Sequence, residues 1–274
     1  MLDTHDTHSQ QVNQPKFSTT MIMVRPRQES QKFELLLVKR AKTLRVLPGF
    51  MVFPGGVIEQ EDLLMADVWL SQKPVITFNS MALDMQVPSD FEIESSLVLG
   101  EHVDKTKLFW SLYATGLREL YEETGVLLLS NMYNSARVGQ EGLADEKLID
   151  LPSLTTWRQV ARDLKYLPPA RYFGRRVTPS QVKYRFDTHY FICTSPTNVQ
   201  LQLSSDEIES AVWATPSEIL NEFEKDVYLM APPTVDAVSA LNNYQTLDEL
   251  LAQGRMPLQV YDQKRVNDFI SRMS

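Results

Sequence analysis

Cysteine is almost missing from this chain of 274 residues: Cys193 stands alone. An intrachain disulfide and a multi-cysteine zinc site are therefore excluded, and a reducing compartment is compatible. Cys193 lies in an apolar run and reads as a small buried residue. Positive charge is in deficit as well. Lysine and arginine number 27 against 35 aspartates and glutamates, a net charge of −8. That balance argues against a general nucleic-acid binder and against attraction to anionic membranes, while local cations or a metal can still receive an anionic substrate. No apolar run reaches the length that spans a bilayer, and the polar opening Met1 to Gln14 has no apolar centre of a secretory signal. The closing Ser271-Arg272-Met273-Ser274 differs from the Ser-Lys-Leu peroxisomal signal. No repeat or low-complexity tract is present. These absences lead to the expectation of a cytoplasmic globular protein with neither nucleic-acid nor membrane partner, and they leave its oligomeric state open.

What is present can build a core, since 43% of the residues are hydrophobic. The length permits one domain with insertions. The stretch with the most chemistry is Gly116-Leu117-Arg118-Glu119-Leu120-Tyr121-Glu122-Glu123-Thr124-Gly125-Val126. Leu112, Leu117 and Leu120 predict a helix with one buried side, and Gly125 suits the left-handed residue that ends it. Val126 to Leu129 then reads as a buried strand. Glu119, Glu122 and Glu123 share one edge of the helix, where they repel one another unless a cation joins them. Hard oxygen ligands suit Mg²⁺ or Mn²⁺. The competing reading is a solvated charged face with Arg118 pairing Glu122 at i,i+4, and for a lone Glu-x-x-Glu-Glu that reading is the better one.

Upstream, Ser18 to Val24 and Phe33 to Val38 read as two strands joined by a polar turn. A basic cluster from Lys39 to Arg45 follows, then Phe53-Pro54-Gly55-Gly56, whose glycines let backbone approach a ligand. Residues 63–106 separate this turn from the acidic helix. They contain enough apolar residues to pack and read as an ordered insertion, either a substrate lid or decoration. Asn131 to Gly142 reads as a loop, and Asp145 to Leu164 carries a helical pattern interrupted by Pro152. Arg171 to Pro179 and Lys183 to Ile192 bring cations and aromatics together, either as strands with salt-bridged ends or as phosphate-binding forks. Within them His189 reads as structural. The acidic run before Trp213 is loop solvation or contains a proton acceptor. Thr215-Pro216-Ser217-Glu218 starts a helix, and further short helices fill the segment to residue 274.

Arg118-Glu119-Leu120-x-Glu122-Glu123-x-Gly125-Val126 is similar to the second half of the Nudix box, and Phe53-Pro54-Gly55-Gly56 to its opening. Asp62, six positions after Gly56, stands where that family usually has glutamate. The resemblance implies an α/β fold, the Nudix-type α/β/α sandwich with a mixed β-sheet and an inserted segment. By composition and pattern, residues 1–16 read as a disordered tail and 17–274 as a single domain, with C-terminal helices over about 216–274. The resemblance also implies a divalent metal held by Glu119, Glu122, Glu123 and the Gly55 carbonyl, with Arg118 orienting the glutamates. A base drawn from Glu207 or Glu209 is a further implication. The long insertion, together with Leu36, Leu37, Arg40, Arg45 and Gly49, resembles the acyl-CoA diphosphatase subgroup, although Val38 and Ala41 replace small polar positions of its motif. In that reading Arg40, Arg45, Arg176 and Arg185 bind a nucleotide-type substrate, CoA or acyl-CoA. The products are 3′,5′-ADP and an (acyl-)phosphopantetheine. The alternatives are the same hydrolysis of NADH, ADP-ribose or a nucleotide sugar, and a non-catalytic binding module.

Overall fold

The computed structural model describes residues 14–28, 30–72, 75–78, 81–83, 87–126, 166–167, 170–195, 198–259 and 263–273. Most of the polar tail, the apolar run after Val126, the loop at 131–142 and the helical pattern at 145–164 lie outside the described residues. In chain order the elements are β1 Lys16–Pro26, β2 Phe33–Arg40, β3 Met51–Val52, β4 Gly55–Val57, α1 Gln60–Gln72, β5 Val75–Phe78, β6 Met81–Leu83, β7 Ser95–Val98, β8 Glu101–Asp104, α2 Lys105–Thr124, β9 Tyr166–Leu167, β10 Ala170–Val177, β11 Phe186–Thr194, β12 Ile208–Ala214, α3 Pro216–Glu224, α4 Pro232–Leu241, α5 Leu247–Gln253 and α6 Gln263–Met273.

Strand β1 organises the main sheet, whose order is β10-β11-β1-β2-β12. On one side β1 runs parallel to β11, from Lys16 opposite Phe186 to Val24 opposite Thr194. On its other side two antiparallel partners share it. β4 takes the first half, with Gly55 opposite Thr20 and Gly56 opposite Thr19, and β2 takes the last three residues. The sheet is therefore mixed, and it opens between β4 and β2.

Alternation along the strands sorts side chains into two layers. Met21, Met23 and Leu36 face a core built with α1, α2 and the inserted segment. Ile22, Val24, Leu35 and Leu37 face a second core built with α3, α4 and α5. Helices thus cover both faces of a mixed sheet. Cys193 is buried in the first core. Among the described residues no helix is long and apolar enough to cross a membrane.

Helix α2 starts where Asp104 accepts from the Lys107 amide and ends where Gly125, at φ +70°, donates to the Tyr121 carbonyl. An L side chain at that φ would be strained, so glycine permits the stop. Gly116 lets the helix cross β1 closely: a Cβ there would meet Thr19 and Met21 side chains at 2.8 Å. The Thr19 hydroxyl donates to the Leu112 carbonyl at 2.7 Å, fixing the crossing. The expected buried side is present, with Leu112, Leu117 and Leu120 nearly inaccessible, and burial extends round most of the helix.

The segment between the two helices is packed onto the first core. Phe91 is fully buried, its ring 5.3 Å from Phe109, 5.6 Å from Tyr172 and 5.2 Å from His189. Lys107 of α2 ties Asp67 of α1 to Glu101 of β8. At the far edge of the sheet, the stretch after α5 covers β10: Met256 donates to the Phe173 carbonyl, and the Gln259 amide pairs both ways with Val177. That cover removes an exposed sheet edge.

Candidate active site

Arg118 is the centre of the site, and only 3% of its side chain is exposed. A guanidinium has five N–H groups, and all five find acceptors. Nε and one terminal nitrogen take the two Asp62 carboxylate oxygens, each at 3.0 Å. That terminal nitrogen also donates to the Val57 carbonyl at 3.0 Å. The other terminal nitrogen donates to Glu119 at 2.9 Å and to Glu122 at 3.0 Å. Burial alone would disfavour this charge, but the Asp62 hydrogen bonds and charge outweigh it and hold the pKa above the usual arginine value. The i,i+4 pairing with Glu122 does form, yet inside the fold rather than on a solvated face.

Asp62 reaches Arg118 across 56 residues of chain because α1 begins there. One Asp62 oxygen also accepts from the Glu59 amide and the Thr115 hydroxyl, both at 2.9 Å. The insertion thus divides the motif in sequence while α1 and α2, packed together, rejoin it in space. Sequence reasoning misses Thr115, because a helical threonine usually bonds its own backbone; here its hydroxyl also lies 2.9 Å from the Ser111 carbonyl.

The glutamates lie against the double-glycine turn. The Gly55 amide donates to Glu123 at 3.2 Å. A Cβ on Gly56 would stand 2.1 Å from a Glu119 oxygen, so the turn and the carboxylate fit only with glycine there. Burial pushes the Glu119 carboxyl up to about 7; Arg118 opposes this and Glu122 adds to it. Burial pushes Glu123 up to about 8, reinforced by the Glu119 charge and opposed by Arg40 and the Gly55 amide. Glu122 is raised by burial too, against the pull of Arg118.

Among the described residues no three His, Cys, Asp or Glu side chains converge as a finished metal cluster. The glutamate oxygens point instead at Arg118 and Gly55. The donor set nonetheless fits a hard divalent ion. Among the described residues the ion pairs of Asp62, Glu119, Glu122 and Glu123 are with Arg118 and Arg40, four carboxyl groups to two guanidinium groups, and burial raises Glu119, Glu122 and Glu123 until a cation compensates their charge.

The predicted substrate residues divide. Arg40 lies beside the cluster, 3.9 Å from Glu123, with its Nε on the Val46 carbonyl. Arg45 is exposed on the loop that Arg40 organises. Arg185 donates to the Thr178 carbonyl in the β10–β11 connection. Arg176 is buried on the opposite face of the sheet, 3.8 Å from Asp236 of α4, and is not brought to the glutamates. Its neighbour Arg175 takes the glutamate face but is held by Asp187 through two 2.6 Å bonds. Of the two base candidates, Glu207 is near enough for its charge to be felt at Glu123. Glu209 is exposed and paired with Lys39 at 2.9 Å, which holds its pKa below the usual value. His189 is fully buried between Tyr172 and Asp187, a structural place.

Residues 13–241 match the family described as NUDT19 Nudix domain. The acyl-coenzyme A diphosphatase NUDT19 of Xenopus laevis is 28% identical over 247 residues, covering 80% of this chain and 62% of that protein. Its Homo sapiens namesake is 26% identical over 254 residues, covering 81% and 64%. The chain therefore spans less than two thirds of the length of these relatives. A NUDIX hydrolase crystal structure from Alicyclobacillus acidocaldarius superposes with a TM-score of 0.60 at 24% identity, covering 89% of this chain and 98% of that one. That likeness speaks for the fold. The divided box, rejoined around Arg118, and a family match over most of the chain agree: this chain belongs to the Nudix family, in the group of the NUDT19 Nudix domain.

Proposed function

We propose that the chain is a divalent-metal-dependent diphosphatase acting on CoA or acyl-CoA, yielding 3′,5′-ADP and an (acyl-)phosphopantetheine. The observation that carries the reading is the buried carboxylate excess gathered by Arg118 against Gly55 and Gly56. Burying more carboxyl groups than cations raises their pKa values at a cost in stability, and a bound divalent cation would offset that cost. The names of the relatives support the choice of substrate.

A diphosphate repels an attacking hydroxide. Glu119, Glu122, Glu123 and the Gly55 carbonyl would hold a divalent ion, which would supply neutralising charge and an activated water. The protein's own part is positioning. Arg118 sets the rotamers of Glu119 and Glu122 and does not face substrate. Arg40 and Arg45 offer forks to phosphate oxygens at the open side of the cluster. Glu207 would accept the proton of the attacking water; in support, its segment is tied to the Glu123 carbonyl by the Ser204 amide and to the Ala41 amide by its own carbonyl.

The test is a Mg²⁺-dependent hydrolysis panel of CoA, acyl-CoAs, NADH, ADP-ribose and nucleotide sugars, read by chromatography of the products. Release of 3′,5′-ADP from CoA or its thioesters is expected. Cleavage of another member alone would move the reaction to that substrate. Calorimetric binding without turnover of any member would make the chain a binding module.

A further inference from the structure

We infer that the C-terminal helix α6 is a positioning brace for the site's open wall, acting through Phe269; the substrate part of this inference rests on the function proposed above. The helix lies beyond the span that matches the family, which ends at residue 241. Its Phe269 packs edge-on against Phe50, ring centroids 6.2 Å apart at 87°. Phe50 is buried in a small cluster with Val38, Val52, Ile208 and Ala231, separate from the two main cores, and Phe269 closes that cluster.

Two site groups hang directly on those residues. The Phe50 carbonyl accepts from the Arg40 amide at 2.9 Å, and the Arg40 carbonyl accepts from Gly49 at 3.0 Å. The Arg40 side chain in turn holds the Val46 carbonyl, so residues 46–50 wrap around Arg40 and display Arg45. Leu47 and Gly49 in this loop both have left-handed φ, at 52° and 74°. Leucine is strained there, so contacts elsewhere must hold the loop. Leu47 packs on the same cluster as Phe269. Ile208, on the other side of the cluster, follows Glu207 and pairs with Arg40 across β12 and β2. One aromatic side chain thus backs both the arginine loop and the segment bearing the proposed base. A helix that merely covered apolar surface could sit anywhere on the second core; this one closes the wall behind Arg40.

The experiment compares the full chain with Phe269→Ala and Phe269→Leu. Steady-state CoA hydrolysis, amide hydrogen exchange over residues 40–51 and 203–209, and thermal melting are measured on each. Removing an edge-on aromatic contact should raise KM about threefold to tenfold through the arginine loop and lower kcat by about twofold to threefold through the Glu207 segment, with melting little changed. Exchange at Arg40, Gly49 and Phe50 should quicken while residues 170–177 stay protected. Phe269→Leu should recover most of both effects. Unchanged KM and unchanged exchange at 40–51 in Phe269→Ala would overturn the inference. So would a fall in kcat and melting temperature together with exchange quickened throughout, since that is general destabilisation. If the wild type cleaves no CoA substrate, the proposed function fails and the exchange at 40–51 alone decides whether the brace exists.

Discussion

Removing the Asp62 carboxylate should unfold the protein far more readily than its single, non-ligand role suggests. In Asp62→Ala, Arg118 loses acceptors for two of its N–H groups while remaining buried, and the Thr115 hydroxyl and Glu59 amide lose theirs. Breaking a buried ion pair by deleting one partner costs about 3–5 kcal/mol, because the other charge is left desolvated. Arg118 keeps Glu119, Glu122 and the Val57 carbonyl, so the lower part of that range, about 3 kcal/mol, is expected. At roughly 2–4 °C per kcal/mol for a chain of this size, melting should fall by about 6–12 °C. Asp62→Asn keeps one acceptor but turns an amide N–H₂ toward the guanidinium, so it should rescue less than half of the loss. Urea unfolding followed by circular dichroism gives the free energies. A cycle with Arg118→Met isolates the pair, and a coupling of about 2–3 kcal/mol is expected for residues in one network. If Asp62→Ala loses less than about 1 kcal/mol, or the two substitutions add within about 0.5 kcal/mol, then α1 does not complete the divided box. The inserted segment would then be decoration, with no part in joining Asp62 to Arg118.

Three further outcomes are expected. Gly56→Ala places a methyl where Glu119 keeps its carboxylate, so Mg²⁺-dependent turnover should drop by about 100-fold or more while melting shifts little, since a flexible side-chain end can move aside; normal turnover would refute the cradle. Glu119 and Glu123 are raised from 4.5 to about 7 and about 8, so the stability they contribute is complete below pH 4.5 and is lost as pH rises through those values. In EDTA, melting should therefore decline from about pH 5 to about pH 8.5, and Glu123→Gln should flatten the decline and abolish turnover; a Glu123→Gln protein less stable than wild type at about pH 8 would contradict the burial argument. Gly174→Ala, at φ +152° with Met256 Cβ 2.7 Å from the new carbon, should cost about 1–3 kcal/mol in urea without altering KM, because it disturbs only the covered edge of β10.

Local signals in the chain were readable because neighbours in sequence create them. Gly125 stops α2, Thr215 and Glu218 form a reciprocal cap on α3, and the first two strands meet as a hairpin, all within a few residues. Helical spacing put Glu119, Glu122 and Glu123 on one edge of α2, and the resemblance to the Nudix box, not spacing, singled out Asp62. The choice among arginines was not readable in the same way. Arg175 and Arg176 alternate across β10, so one must face each layer, but sequence does not say which layer holds the acidic helix. That is decided by β1 lying parallel to β11, a pairing about 170 residues apart in the chain. Phe91 and its contact with His189 were hidden for the same reason.

The same distance-dependence explains why the insertion is tolerated where it stands. A loop that merely separated Asp62 from Arg118 would need to close a 56-residue gap with nothing to hold it, at an entropic cost that grows slowly with length but still has to be met. Here the gap is largely filled by structure that packs on the same face. α1 lies on α2, β7 and β8 lead into the Asp104 cap, and Phe91 is driven into the aromatic cluster beside Tyr172. Each contact holds the two halves of the box together independently of the Asp62–Arg118 pair. The buried ion pair then has little left to organise, and its energy goes into the orientation of Glu119 and Glu122. An insertion placed between Arg118 and Glu123 could not be absorbed this way, because the i,i+4 geometry that joins Arg118 to Glu122 exists only on one unbroken helix.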